Sequence, residues 1–276
     1  MFRKTLTALL LSVAASLTFA QTTRTVRLNT TDDVGIIGTY YPADQPHAPA
    51  VLLIHSIFRD HTVWTDFATL LQYNGIAALA IDLRGHGEST RKLTAEGPVK
   101  IDLRNLTSRD FQDMLLDIEA AIDWLQAQPE IDNKHIALIG ESVGANVALR
   151  YAAINQDLSA VVLFSPGLNY RSVRTDDVIR QLGHIPFHIF VSQSDDFAFR
   201  SSKRLIEIRM ELGINDATNE LTVCTGSLHG SEMLKGVRNL PQIILAWLKA
   251  PLLGVTAPTV NRPPPIVPPD ATAPPK

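Results

Sequence analysis

One five-residue segment of this 276-residue chain has the residue types and spacing of a nucleophile: Gly140-Glu141-Ser142-Val143-Gly144. A serine hydroxyl attacks carbonyls only when it is held beside a base and beside donors for the charge that develops. Glycines two residues before and after leave room for a tight turn around it. The bare pattern recurs by chance in roughly one chain in ten of this length, so its setting decides. The apolar run His135 to Ile139 before it reads as a strand, and Ala145 to Ala153 after it reads as a helix. A serine on such a turn lies at a helix N-terminus, where unpaired backbone N–H groups and the helix dipole favour an oxyanion. A glycine-rich turn around a buried serine is the other reading of the same residues.

Competing chemistries have little to work with. The lone cysteine, Cys224, rules out an intramolecular disulfide and a cysteine-clustered metal centre, and it reads as a buried core thiol on a strand. No metal site is expected. Net charge is −3 with a pI near 6.2, so no basic stripe exists to neutralise phosphates, and nucleic acid is excluded as a partner. Gly85-His86-Gly87 lacks the remaining glycine of a dinucleotide fingerprint, and no phosphate-binding loop is present, so no cofactor is implied.

The elements that must position Ser142 follow from apolar periodicity. Short runs rich in Val, Ile and Leu at Ala50 to Ile54, Ile76 to Ile81, His135 to Ile139, Ala160 to Phe164 and Phe187 to Val191 read as buried strands. Segments of helical period separate them. The clearest joins Phe111, Met114, Leu115, Ile118, Ile122 and Leu125 in one stripe, with Asp113, Asp117 and Glu119 off it. Parallel neighbours need long crossovers, so alternating strands and helices imply an α/β fold: a mostly parallel sheet with helices on both faces. Thr25 to Leu28 and Ile36 to Tyr41, around Thr31-Asp-Asp-Val-Gly35, read as an antiparallel hairpin at its N-terminal edge.

The ends differ in composition from the middle. Arg3 and Lys4, an apolar centre at Leu9-Leu10-Leu11 and small residues up to Ala20 have the order of a secretory signal, with cleavage expected after Ala20. Ser12, Ser16 and Thr18 thin that run below the ~20 apolar residues of a membrane span, so no stable span is expected once the signal is removed. The mature protein is expected to be secreted or periplasmic. Residues 21–250 form the expected domain. Residues 251–276 hold nine prolines and little to bury, which predicts an extended tail. It reads as a solvated spacer, with docking to an unknown proline-recognising partner as the alternative.

Four segments, in order, resemble the α/β-hydrolase superfamily. Leu52-Leu-Ile-His55-Ser56-Ile57 is similar to the strand and turn that supply one oxyanion donor there. Asp82-Leu-Arg-Gly85-His86-Gly87-Glu-Ser89 looks like the family's D-x-R-G-x-G-x-S loop. Gly140 to Gly144 resembles the nucleophile elbow, and Leu228-His229-Gly230 before a closing helix resembles the histidine loop. The likeness covers about Arg24 to Lys249. Short spacings and the missing lid look most like the dienelactone-hydrolase and lid-less serine esterase branch.

That resemblance implies roles. Ser142 would attack a carbonyl carbon, and His229 would take the hydroxyl proton and return it to the leaving group. An acid would orient the histidine, and Asp195 and Asp196 both follow the strand Phe187 to Val191. Counting nine residues from Pro186, as in the family, favours Asp195 and leaves Asp196 as the alternative. The oxyanion donors fall on the backbone N–H groups of Ile57 and Val143, with Ser56 standing where the family usually has glycine. Glu141 is expected to pack or pair behind the elbow, and Arg84 and His86 to anchor the Gly85 and Gly87 turn.

About twenty residues link Ser165 to Ile185, too few for an inserted cap domain, so an open site for a small-molecule acyl substrate is expected. Phe58, Tyr170 and Phe197 are candidate walls. The reading is a secreted serine hydrolase that cleaves an ester. A serine peptidase or thioesterase of the same fold, and a non-catalytic binding protein that kept the fold, are the alternatives.

Overall fold

Strands buried on both faces need uninterrupted apolar sequence, and four segments supply it almost without a polar atom: β3 (Ala48–Ile54), β4 (Ala77–Ile81), β8 (Ala160–Phe164) and β11 (Phe187–Ser192). The structure, a computed structural model, describes residues 22–214 and 219–254. The expected signal, its cleavage site and nearly all of the proline-rich tail lie outside the described residues. With β1 (Arg24–Asn29), β2 (Val34–Tyr41), β7 (Ile131–Glu141) and β12 (Asn219–Cys224), these strands build one sheet in the order β1-β2-β4-β3-β7-β8-β11-β12. From β4 to β12 all neighbours are parallel, while β2 runs antiparallel to both β1 and β4. The mostly parallel sheet with an antiparallel N-terminal edge is thus as the sequence implies.

Alternation along each strand feeds two cores. Leu52 and Ile54 of β3 pack with Ile118 of α3 (Met114–Gln126), Leu149 of α4 (Val143–Ile154) and Leu205 of α5 (Asp196–Glu211). Val51 and Leu53 face Phe67 and Leu71 of α1 (Thr65–Tyr73), Met233 of α6 (Glu232–Gly236) and Ile244 and Leu248 of α7 (Leu240–Leu253). A short α2 (Ser108–Gln112), closed by a Thr107–Asp110 capping box, precedes α3. The single stripe read from Phe111 to Leu125 is therefore broken at Asp113.

Three local features depart from the sequence reading, and a fourth, the short link after β8, agrees with it. Residues after Ser89 form a hairpin, β5 (Arg91–Thr94) and β6 (Gly97–Lys100), with Lys92 and Arg91 extending the sheet beside Val34 and Gly35. Its strands are polar and largely exposed, so no apolar run announces them. Asp117, expected off the apolar stripe, is fully buried because Arg84 meets it there. The link between β8 and β11 holds only the two-residue strands β9 (Asn169–Tyr170) and β10 (Val173–Arg174) and a 3₁₀ turn at Ile179–Gln181, with no cap domain. Finally, α7 continues through Pro251 to Leu253 and buries Leu252, so the helix overruns the boundary expected after residue 250.

The chain leaves β3 for β4 on one side and returns to β7 on the other. Strand order reverses between β3 and β7, and the crevice beyond the carboxyl ends of strands at such a reversal is where α/β sheets hold ligands. His55 to Ile57 leave β3 there, and Ser142 leaves β7.

Candidate active site

Ser142 stands between β7 and α4 with φ 54° and ψ −119°, a conformation that side-chain-bearing residues rarely adopt. Its N–H donates to Phe164 O of β8 at 2.8 Å. The flanking glycines are sterically required. A Cβ on Gly140 would lie 2.4 Å from Gly144 O, and one on Gly144 would lie 2.4 Å from His55 O and 2.7 Å from Ile54 O. The turn is thus packed backbone against backbone on the exit of β3.

Glu141 ties the turn to its surroundings. Its Oε1 accepts the Ser56 N–H at 3.0 Å, and its Oε2 accepts the Ser231 N–H. One buried carboxylate therefore braces both the loop that carries Ile57 and the loop that carries His229. Gly230 has φ 59°, and a Cβ there would strike Glu141 Oε2 at 2.3 Å. Ser165, just past β8, accepts the Gly230 N–H on its Oγ at 3.1 Å. Ser192 Oγ, at the end of β11, donates to Leu228 O.

His229 meets one of the two candidate acids. Its Nδ1 lies 2.6 Å from Asp195 Oδ2, whereas the Asp196 side chain is 83% exposed and 3.6 Å from Arg200 one turn along α5. The loops after β11 and β12 join side by side through Gln193 N to Cys224 O and Ser194 N to Gly226 O, which brings Asp195 to the histidine. Cys224 itself is buried and free. A carboxylate on Nδ1 fixes the imidazole with Nε2 available as a base.

Val143 opens α4, so its N–H belongs to the first turn, whose donors have no partner within the helix. Ile57 follows Ser56, whose own N–H is committed to Glu141. His55 is a structural imidazole: Nε2 accepts the Leu83 N–H at 3.0 Å, so Nδ1 carries the proton and donates to Ser56 O at 2.7 Å. Burial, with His86 beside it, pushes the His55 pKa down to about 4. Phe58, the first wall candidate, is 68% exposed with φ 63°. Tyr170 and Phe197 come together, their rings edge-on with centroids 5.2 Å apart.

The loop from Asp82 to Ser89 is held by its own polar residues. Asp82 accepts the His61 backbone and ring N–H groups at 2.8 Å and the Glu88 N–H at 2.8 Å. Arg84 forks onto Asp32 at 3.0 Å and donates through Nε to Asp117 at 2.8 Å. Burial raises Asp117 to about 6 even against the Arg84 charge. Asp60, His61 and Asp82 offer donor atoms within 4.8 Å of one another. The Asp82 oxygens are already occupied by these loop hydrogen bonds, which account for the cluster.

Sequence reasoning passed over Asn146 and Ser165. Asn146 is fully buried one turn after Ser142, donates to Val173 O at 2.7 Å and accepts the Gly167 N–H at 3.0 Å. Its one signal is a lone amide in the otherwise apolar start of α4.

Comparison with known proteins bears on the family and the fold. A family model described as serine aminopeptidase, S33, matches residues 45–204, more than half of the chain. An uncharacterized protein of Mycobacterium tuberculosis is 30% identical over 144 residues, covering 52% of this chain and 45% of its own. This chain thus spans about half the length of the curated relatives it matches. Among solved structures, the α/β hydrolase GrgF from Penicillium sp. superposes with a TM-score of 0.68 at 16% identity, covering 84% of this chain and all of the other. The dienelactone hydrolase of Anabaena variabilis gives 0.60 at 20% identity, over 86% and 99%. This chain belongs to the α/β-hydrolase superfamily, within the family described as serine aminopeptidase, S33.

Proposed function

We propose that this protein is a serine hydrolase that cleaves carboxylic esters of small acyl groups through Ser142. The observation that carries the reading is the 2.6 Å contact between Asp195 and His229, on a loop that Glu141 and Ser165 dock against the Ser142 turn. His229 Nε2 takes the Ser142 proton as Oγ bonds to the ester carbonyl carbon, and the carbonyl π electrons move onto oxygen. The N–H groups of Ile57 and Val143 receive that charge. The carbonyl re-forms, the alkoxide leaves with the proton from the imidazolium, and a water repeats the sequence on the acyl-enzyme. Asp195 keeps the imidazole in the productive tautomer and stabilises its cation.

Two further points belong to the same proposal. The link from β8 to β11 places only a small hairpin over the sheet, which favours an open site for short or extended acyl groups over an enclosed lipid tunnel. Residues 1–20 favour export, so the reaction would take place outside the cytoplasm. The S33 description favours peptide bonds as the competing substrate, and a thioester would use the same groups.

Hydrolysis of p-nitrophenyl acetate by the wild type and by Ser142→Ala tests the reading. The variant should keep the wild-type circular dichroism spectrum and lose several orders of magnitude in rate. Near-wild-type turnover in Ser142→Ala would refute it. Parallel assays with an acyl thioester and an aminoacyl anilide rank the substrate classes.

A further inference from the structure

The core beneath α1 and α7 stops short of the sheet's N-terminal edge. Of β1, β2 and β5, only Tyr41 belongs to it among the described residues. Strand register shows what stands on the rest of that face. Arg27 lies opposite Ile37, while Asn29, Gly35 and Arg91 form one row across the three strands. Residues directly opposite in antiparallel pairs share a face, and Val26 and Leu28 turn the other way, into the α3 core.

A groove of about 680 Å³ is lined by these residues, within the roughly 300–1,000 Å³ of small-molecule sites. Its origin is local. β5 pairs with β2 only at Val34 and Gly35. At Ile37 the loop from Asp82 to Ser89 takes over: the Ile37 N–H donates to Ser89 Oγ at 2.8 Å, and Ile37 O accepts the Asp82 N–H at 2.8 Å. Glu88 of that loop and Thr90 also line the groove. Ile37 is buried yet belongs to neither core, so it forms an apolar floor. Gly35 leaves the space open. Its φ is not positive, and an added Cβ would meet only Arg91 O, at 3.7 Å, an ordinary contact. The backbone therefore does not demand glycine there. Glycine inside a strand weakens it, and close approach of a ligand is one use that keeps it. Asn29 and Arg91 stand two strand spacings apart, roughly 10 Å, which admits one sugar ring.

The polar groups narrow the ligand. Arg27 and Arg91 are exposed, and neither has an ion pair among the described residues. Guanidinium groups fork onto carboxylates and phosphates. The Glu88 carboxylate repels a second anionic group but accepts hydroxyls, and the Asn29 amide and Thr90 hydroxyl both donate and accept. We propose that this groove binds an acidic sugar, its one phosphate or carboxylate on Arg27 and Arg91, its hydroxyls on Asn29, Thr90 and Glu88, and its ring over Gly35 and Ile37. The site is separate from the Ser142 crevice, since β4 and β3 lie between β2 and β7, and it does not depend on the serine-hydrolase reading.

Isothermal titration calorimetry of the full chain at fixed ionic strength, with glucose 6-phosphate, glucuronate, glucose and inorganic phosphate, tests the site and separates the two acidic forms. At least one acidic sugar should bind saturably, one per chain, about 10-fold or more tightly than glucose or inorganic phosphate. Arg27→Gln and Arg91→Gln should each weaken that binding about 10-fold. Gly35→Leu fills the groove, so it should melt with the wild type, leave p-nitrophenyl acetate turnover at the wild-type rate and lose the binding. The arginine variants change only exposed side chains and keep the test decisive should Gly35→Leu prove unstable. No saturable binding of either acidic sugar, or wild-type binding by a folded Gly35→Leu or by both arginine variants, would overturn the site. Inorganic phosphate binding as tightly as the acidic sugars would overturn the sugar assignment.

Discussion

Replacing Glu141 with Gln isolates the brace behind the Ser142 turn. The carboxylate is 2% exposed and accepts two backbone N–H groups, one from each functional loop. A hydrogen bond to a charged group contributes about 1.5–3 kcal/mol, against about 1 for a neutral one. The amide has one acceptor oxygen, so it satisfies one N–H weakly and sets its NH₂ against the other. One charged bond is lost and one is weakened, which predicts destabilisation of about 2–4 kcal/mol. The loosened loop carries either Ile57 or His229, and under the proposed mechanism misplacing an oxyanion donor costs on the order of 10²-fold in turnover. Urea unfolding should show a lower midpoint at unchanged slope, with kcat for p-nitrophenyl acetate reduced about 10²-fold. A Glu141→Gln protein within about 0.5 kcal/mol of wild type and with unchanged kcat would refute the bracing role.

Two further outcomes follow from the geometry. Asp195→Asn should cost far more in kcat than Asp196→Asn, because only Asp195 contacts His229; the reverse ranking, read from steady-state kinetics, would contradict the site. Burial drives the His188 pKa down to about 3, and burial with His86 drives His55 down to about 4. The unfolded chain therefore binds protons first, and stability present above pH 6.5 is lost as pH falls below it, at about 1.4 kcal/mol per pH unit for each histidine. Two groups work the other way: His61, raised by its Asp82 hydrogen bond, and Asp117, raised by burial to about 6, take up protons first in the folded state and offset part of that loss as pH falls. In His188→Gln those opposing groups remain, so the stability lost between pH 7.5 and 5.5, read from urea unfolding, should shrink by about 1.4 kcal/mol relative to wild type, and an unchanged loss would contradict a buried neutral His188.

The central strands were legible because burial on both faces demands continuous apolar sequence. Ala160–Phe164 is placed to the residue, and Phe187–Ser192 to within one. Elements fixed by tertiary partners were not legible. Asp117 looks solvent-facing to a helical periodicity that knows nothing of Arg84, and the β5–β6 hairpin is held by pairing to β2 rather than by apolar content. Pro251 reads as a helix stop, yet in the last turn it loses little, and the chain continues to bury Leu252. At the site, the strand–serine–helix order was visible from residue types alone. Choosing Asp195 over Asp196 needed the family spacing, because adjacent identical side chains differ only in direction. The Asn146 bond to Val173 O and the Tyr170–Phe197 contact depend on a hairpin of two-residue strands below the reach of any periodicity.

The most direct test is covalent labelling with a fluorophosphonate probe followed by peptide mapping, since the probe reacts with an activated serine whatever the natural substrate. A single adduct on Ser142, lost in Ser142→Ala and strongly slowed in His229→Ala, is the predicted result. A folded protein that takes up no probe, or an adduct on another serine with Ser142 unmodified, would contradict the assignment of Ser142 as the nucleophile.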